Sequence, residues 1–427
     1  MRLLDFVLVF IIIYVPEQLH FPTGLGLPGL NVLNLLFLFA LILHLTSHEN
    51  TNSTVTAPLK SRFLFFFGAL FLSFIIAQAG GVTNLIEDAT KLKEAIFYML
   101  LYFLYFHAVQ DIKTIRILFL VVLLVAGLAS IEVIKEAADY GFGGNFNYTH
   151  RASGPFGSNW RNSNRAGVFF TIFVPYFIAL ALYYKQNKFI RIASVVAIIL
   201  CVFAVFFTYS RQSYFILAFL LMASLYKKSK ALTIIGLVVI LNYAAWAPDS
   251  VTQRIGETQQ VDEQGDENLD ASTESRFILW AGAWEMIKEK PWGIGFNRFK
   301  SEIGNYCVIP NKDAHNHYVL TTAESGILGF VTLVMLLLSL FSISRNLKRL
   351  ENDQEAQMIG SAYAMSTVGV ILSNLYGSPF FFGEVMGDYW ILSALGAKYY
   401  YLKQQELNKE TLEKDNLKKS NAWNLRN

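Results

Sequence analysis

Two histidines, His315 and His317, stand two residues apart in the run DAHNHYVLTTAESGILGF, residues 313–330. The run leads into a long apolar segment, so His315-Asn316 falls where a helix should begin. A neutral imidazole there can act as a general base near pH 7. Upstream, the run ESRFILWAGAWEMIKEKPWGIG places Arg276 in a repeat that ends at Pro291 and a glycine-rich turn. Arg298 follows that turn. Arg211 follows Ser210 at the end of one apolar run, and Arg165 stands at the mouth of another. An ionised side chain at the end of an apolar span is costly to hold without an anionic partner. Arginine is also the residue chosen when a planar fork must grip phosphate or carboxylate. Arginines and a histidine at a membrane surface point to chemistry on an anionic, lipid-linked substrate. His317 and Asn316 are weighed as acceptor-binding or structural. Each arginine also has a plain reading: Arg211 and Arg298 as contacts to lipid headgroups, Arg276 as a surface residue paired with Glu274, Arg165 as a loop residue.

The elements that must position these groups are apolar helices. The chain is 54% hydrophobic and only 16% charged, against about a quarter charged in soluble domains. An all-α polytopic membrane protein is therefore expected. Runs long enough to span, about 17–25 residues, are placed at 3–19, 29–47, 62–79, 95–110, 115–134, 166–183, 190–208, 212–226, 231–247, 316–343, 357–376 and 379–401. Residues 1–401 read as one transmembrane catalytic domain and 402–427 as a basic cytoplasmic tail, helical at first and then disordered. The first run lacks a small-residue cleavage site, so it reads as a retained span.

Lys and Arg in the connections set the orientation. With the N-terminus inside, Lys60/Arg62, Lys113/Arg116, Lys185/Lys188/Arg191, Lys227/Lys228/Lys230 and Arg345/Lys348/Arg349 all lie inside. Both termini are then cytoplasmic. Long outer connections are expected at about 135–165 and 248–315. The outer face collects Arg151, Arg161, Arg165, Arg211, Arg254, Arg276 and Arg298, whereas the inner face is mostly lysine. Within the second long loop, the acidic run 257–270 reads as a linker. Phe277, Trp280, Ala281, Trp284 and Ile287 recur at helical spacing, which predicts an amphipathic helix lying at the membrane interface. Glu384 and Asp388, four apart in the last span, are intramembrane acids and candidates for function. Cys201 lies in an apolar run and Cys307 in a polar loop, so no disulfide is expected between them.

His315-Asn316, nine residues, Gly326, two residues and Gly329 together resemble the signature of the O-antigen ligase family, within the wider ligase/polymerase superfamily. Gly154-Pro155-Phe156 with Asn159 and Asn164, Ser210-Arg211, and Arg276 with Trp280 leading to Pro291, Gly293 and Gly295 extend the likeness over roughly residues 150–335. One departure is Phe215, four residues after Arg211, where the ligases usually carry leucine. The resemblance implies a GT-C-like membrane glycosyltransferase working on the periplasmic face of the bacterial inner membrane. Its donor would be a glycan on undecaprenyl pyrophosphate, and its acceptor a sugar hydroxyl of lipid A–core. His315 would be the base, and Arg211, Arg276, Arg298 and Arg165 would bind pyrophosphate. No metal, cofactor or nucleic acid is implied. A polymerase joining lipid-linked repeats and a lipid-linked sugar transporter or flippase are the alternatives. A metal-dependent oligosaccharyltransferase needs acidic ligands in an early outer loop, where Glu87 and Asp88 are the only acids.

Overall fold

The computed structural model describes residues 2–21, 30–47, 55–81, 84–142, 146–157, 162–257, 259–261, 267–269 and 271–424. Every expected apolar run lies in a helix. The helices are α1 (Leu3–Glu17), α2 (Val32–Thr46), α3 (Lys60–Ala79), α4 (Leu85–Ala108), α5 (Ile112–Asp139), α6 (Ser163–Tyr183), α7 (Lys188–Phe207), α8 (Arg211–Lys228), α9 (Lys230–Leu241), α13 (His317–Lys348), α14 (Gln354–Ser373) and α15 (Gly383–Asn424). Between α9 and α13 lie α10 (Asp249–Gly256), α11 (Ala271–Glu289) and α12 (Phe299–Glu302).

Several helix starts are written into the sequence as caps. The side chains of Asn31, Asn84, Asp111, Asn187, Asn316 and Asp353 each accept a hydrogen bond from a backbone N–H in the first turn that follows. A capped N–H is one that the helix itself cannot satisfy.

The protein is a polytopic, helical membrane protein. Among the described residues, α3, α5, α6, α7, α13 and α14 are both long and apolar enough to cross a bilayer. The short α9 has twelve residues, about 18 Å at the helical rise, against a hydrocarbon core of about 30 Å. The expected run at 231–247 is therefore cut short. Helix α6 lies at the centre, packed by α7, α8 and α14, and α15 packs on α4 and α1. Trp390 and Tyr389 of α15 are fully buried. Large apolar side chains face outward instead on α3 (Phe65, Phe71), α7 (Val195, Ile199) and α9 (Ile234, Val238). Surfaces of that kind belong against lipid.

Three expectations change. The acidic run is not wholly irregular, because β1 (Gln259–Val261) and β2 (Glu267–Leu269) pair antiparallel. The tail does not stop being helical after its first turns: α15 continues to Asn424. Helix α11 forms as expected, but Leu279, Ala283 and Met286 supply its buried side, against Phe299, Ile303 and Ala323. Phe277 and Trp284, which the periodicity marks as apolar, stay outward, as an interfacial helix requires. Both cysteines are free.

The loop after α11 is wedged into the helices. Ile294 N–H donates to the Ala323 carbonyl and Gly295 N–H to that of Glu324, each at 3.0 Å. Phe296 N–H reaches the Ser73 carbonyl of α3, also at 3.0 Å. Gly326 interrupts α13 with φ 66° and ψ −170°, and a Cβ there would sit 2.5 Å from the backbone of Trp292. Gly295, at φ +104°, lies as close to the backbone of Ala77. Only glycine fits such contacts in that backbone region.

Candidate active site

Two helix starts meet at one cavity. Helix α8 begins at Arg211, after Tyr209 at φ 49°. Helix α13 begins after the cap Asn316, with His315 also at φ 49°. Non-glycine residues in this region are held there by their surroundings. The cavity has a volume of about 580 Å³ and is lined by Arg211, Arg276 and His315. Residues far apart in the chain thus share one space. Arg151, Arg254, Lys300, Lys312 and Asp313 also line it, so cations outnumber carboxylates among its described walls.

Two of these arginines are locked from behind. Arg151 is buried; its Nε donates to the Thr208 carbonyl at 2.9 Å and its Nη2 to Asn164 Oδ1 at 2.7 Å. Burial first, and then the neighbouring Arg254, pull its pKa down to about 10. It stays protonated at neutral pH. Arg254 lies 4.8 Å above the rings of both Phe146 and Tyr148 and pairs with Glu257 at 2.8 Å.

His315 opens onto the cavity. Its backbone N–H donates to Asp313 Oδ1 at 3.0 Å, which fixes the turn. Burial lowers the imidazole pKa below its usual 6.5; Asp313 opposes this, while Arg276, Lys312 and Lys300 add to it. The ring is therefore neutral at pH 7, the form a proton acceptor needs.

The other expected site residues lie elsewhere. Asn316 Oδ1 accepts from Tyr318 and Val319 N–H at 3.0 and 3.1 Å, so this side chain is spent on capping α13. His317 is fully buried, with its ring 5.1 Å from that of Phe380 and 4.6 Å from that of Phe381. Neither ring nitrogen has a hydrogen-bond partner among the described residues. Arg298 does not line the cavity; it forms a two-pronged pair with Asp88 at 2.9 and 2.6 Å. Those hydrogen bonds raise its pKa against the effect of burial. Asn297 and Gln78 also donate to Asp88, each at 2.9 Å, which clamps the loop onto α3 and α4. Arg165 pairs with Glu384 and lies 3.9 Å above the Phe382 ring. It lines a second cavity, of about 570 Å³, that shares Lys300 and Asp313 with the first. Asp388 is buried with no hydrogen-bond partner among the described residues. Asn159 and Arg161 lie outside the described residues.

Sequence reasoning passed over Lys300, Lys312 and Asp313, and it gave Arg151 and Arg254 no role of their own. The available signal was the preference for arginine on the outer face. A cluster of Glu17, His20 and Glu132 lies apart from the cationic cavity, with His20 Nδ1 3.0 Å from Glu17 and Nε2 3.3 Å from Glu132. The imidazole already joins both acids.

No curated protein matches the chain. Residues 196–334, from α7 through the first half of α13, match the family model described as O-antigen ligase. That stretch holds Arg211, Arg276 and His315, and so it contributes an arginine pair and an imidazole to the same cationic cavity. The chain belongs to the O-antigen ligase family, whose members are membrane glycosyltransferase-like enzymes.

Proposed function

We propose that this protein is an O-antigen ligase acting on the periplasmic face of the bacterial inner membrane, with both termini in the cytoplasm. The observation that carries this reading is the shared cavity of Arg211, Arg276 and His315. The donor is a glycan on undecaprenyl pyrophosphate. Its pyrophosphate lies against Arg211 and Arg276, whose forks meet the negative charge that grows as the sugar–phosphate bond breaks. The N-terminus of α8, where Arg211 stands, adds a favourable dipole. A hydroxyl of the lipid A–core acceptor attacks the anomeric carbon from the opposite side, and its proton passes to His315. The carbon–oxygen bond to pyrophosphate breaks, the lipid pyrophosphate leaves, and the anomeric centre is inverted. The second cavity, with its balanced charges, suits an uncharged acceptor sugar. Arg165 shapes that cavity, and Arg298 holds the loop.

A polymerase is the second reading, favoured by Phe215 where the ligases usually have leucine. Purified protein would be given a lipid-pyrophosphate glycan with lipid A–core or with none. Transfer to core, read by mass spectrometry, supports the ligase. Lengthened lipid-linked glycan without core supports the polymerase. If lipid-linked glycan only crosses a proteoliposome membrane and no bond forms, the protein is a transporter.

A further inference from the structure

Arg211 belongs to two spaces at once. One is the cationic cavity. The other is an apolar groove of about 300 Å³ between α7, α8, α9 and α10, walled by Phe206, Leu217, Leu221, Trp246 and Val251. The groove exists because α9 is short. After Leu241 the chain turns back, and Trp246 Nε1 donates to the Val239 carbonyl at 2.8 Å. Its flanks face lipid: Phe215 is 69% exposed, and Ile234 and Val238 are outward as well. An apolar channel that opens toward the bilayer therefore ends at an arginine that also faces the cationic cavity.

We infer that this groove holds the hydrocarbon chain of a polyprenyl pyrophosphate whose headgroup lies at Arg211. The inference rests on the proposed donor reading and adds where the lipid lies. Charge and space favour this occupant. The cavity beyond Arg211 also presents Arg276 and Lys312, which suits a multiply charged pyrophosphate better than a singly charged phosphodiester. The groove is narrow, which suits one chain rather than two. Each CH₂ taken from water strengthens binding by on the order of fourfold, so a few buried isoprene carbons give a large chain dependence.

The test compares geranylgeranyl pyrophosphate with inorganic pyrophosphate on the purified full-length protein in one detergent. The wild type is expected to bind the prenylated probe at least about 100-fold more tightly. Ala247→Trp, which fills the groove, should remove most of that advantage, while inorganic pyrophosphate binds both proteins alike. A diazirine-tagged geranylgeranyl pyrophosphate on the wild-type protein should label peptides within 202–221 or 240–255, a readout that needs no variant to fold. An unchanged advantage in a folded Ala247→Trp protein, or labelling elsewhere, overturns the groove. Full displacement of the probe by equal phosphatidylglycerol also overturns it, since an ordinary phospholipid would then be the occupant. The donor reading fails separately: Arg276→Ala would then bind inorganic pyrophosphate as well as the wild type.

Discussion

The two polar cavities share Lys300 and Asp313 but differ in how their charges are answered. Around Arg165 each named cation has its acid: Arg165 meets Glu384, and Lys91 meets Glu94 at 3.1 Å. Around His315 the cations Arg151, Arg211, Arg254, Arg276, Lys300 and Lys312 share the walls with a single described carboxylate, Asp313. A neutral balance asks little of a ligand beyond hydrogen bonds. An excess of one sign, held in place by folded structure, is a binding site for the other sign. The difference teaches that outer-face arginines are not interchangeable. Arg298 and Arg165 build the protein; Arg211 and Arg276 stand where a ligand would come.

That contrast can be broken most sharply at His315. His315→Ala should lower transfer by about 10²- to 10⁴-fold with little change in melting temperature, because the side chain opens onto the cavity; retained turnover would remove it from the chemistry. The next effect is on stability, at the arginine assigned to structure. Asp88→Ala leaves the buried Arg298 charge without its acid and should cost about 3–5 kcal/mol, visible as a drop in thermal midpoint. Pairing it with Arg298→Met should recover most of that loss. If Asp88→Ala melts like the wild type, the clamp is not what holds the loop.

Arg211→Lys keeps the charge and loses the fork, so donor affinity should fall by about 10- to 100-fold. Equal affinity would show that bidentate grip is not its task. A smaller effect is expected in pH. His315 works as the neutral base, so kcat/KM should rise with pH through its lowered pKa and level off above it. Lys312 is one of the charges that lower this pKa. Lys312→Met should therefore move the rising limb to higher pH, and Asp313→Asn, which removes the opposing charge, should move it to lower pH. The reverse order would mean that the limb belongs to another group. Smallest of all, Arg165→Met together with Glu384→Gln should leave donor affinity within about twofold, as removing a matched pair disturbs little. A larger fall would place the second cavity on the donor side.

Much of the architecture was legible in the residue string, because a bilayer-spanning helix must be apolar for most of its length and water-facing ends must be capped. The twelve apolar runs, the helix at 271–289 and the start of α13 at Asn316 all follow from local rules. The chemistry was half legible: arginine in place of lysine on one face marked anion binding, and His315 at a helix start marked a base. Local pattern could not say which arginine is spoken for. Asp88 lies 210 residues before Arg298 and Glu384 lies 219 after Arg165, and no periodicity links such partners. Nor could it tell His315 from His317, since the side that each residue turns to is set by the left-handed backbone at His315 and the aromatic wall of Phe380 and Phe381. The sequence alone determined that the chain crosses membranes and bears cations on one face. Only the packed helices decided which of those cations face each other across empty space and which neutralise an acid, because that depends on contacts between segments far apart in the chain.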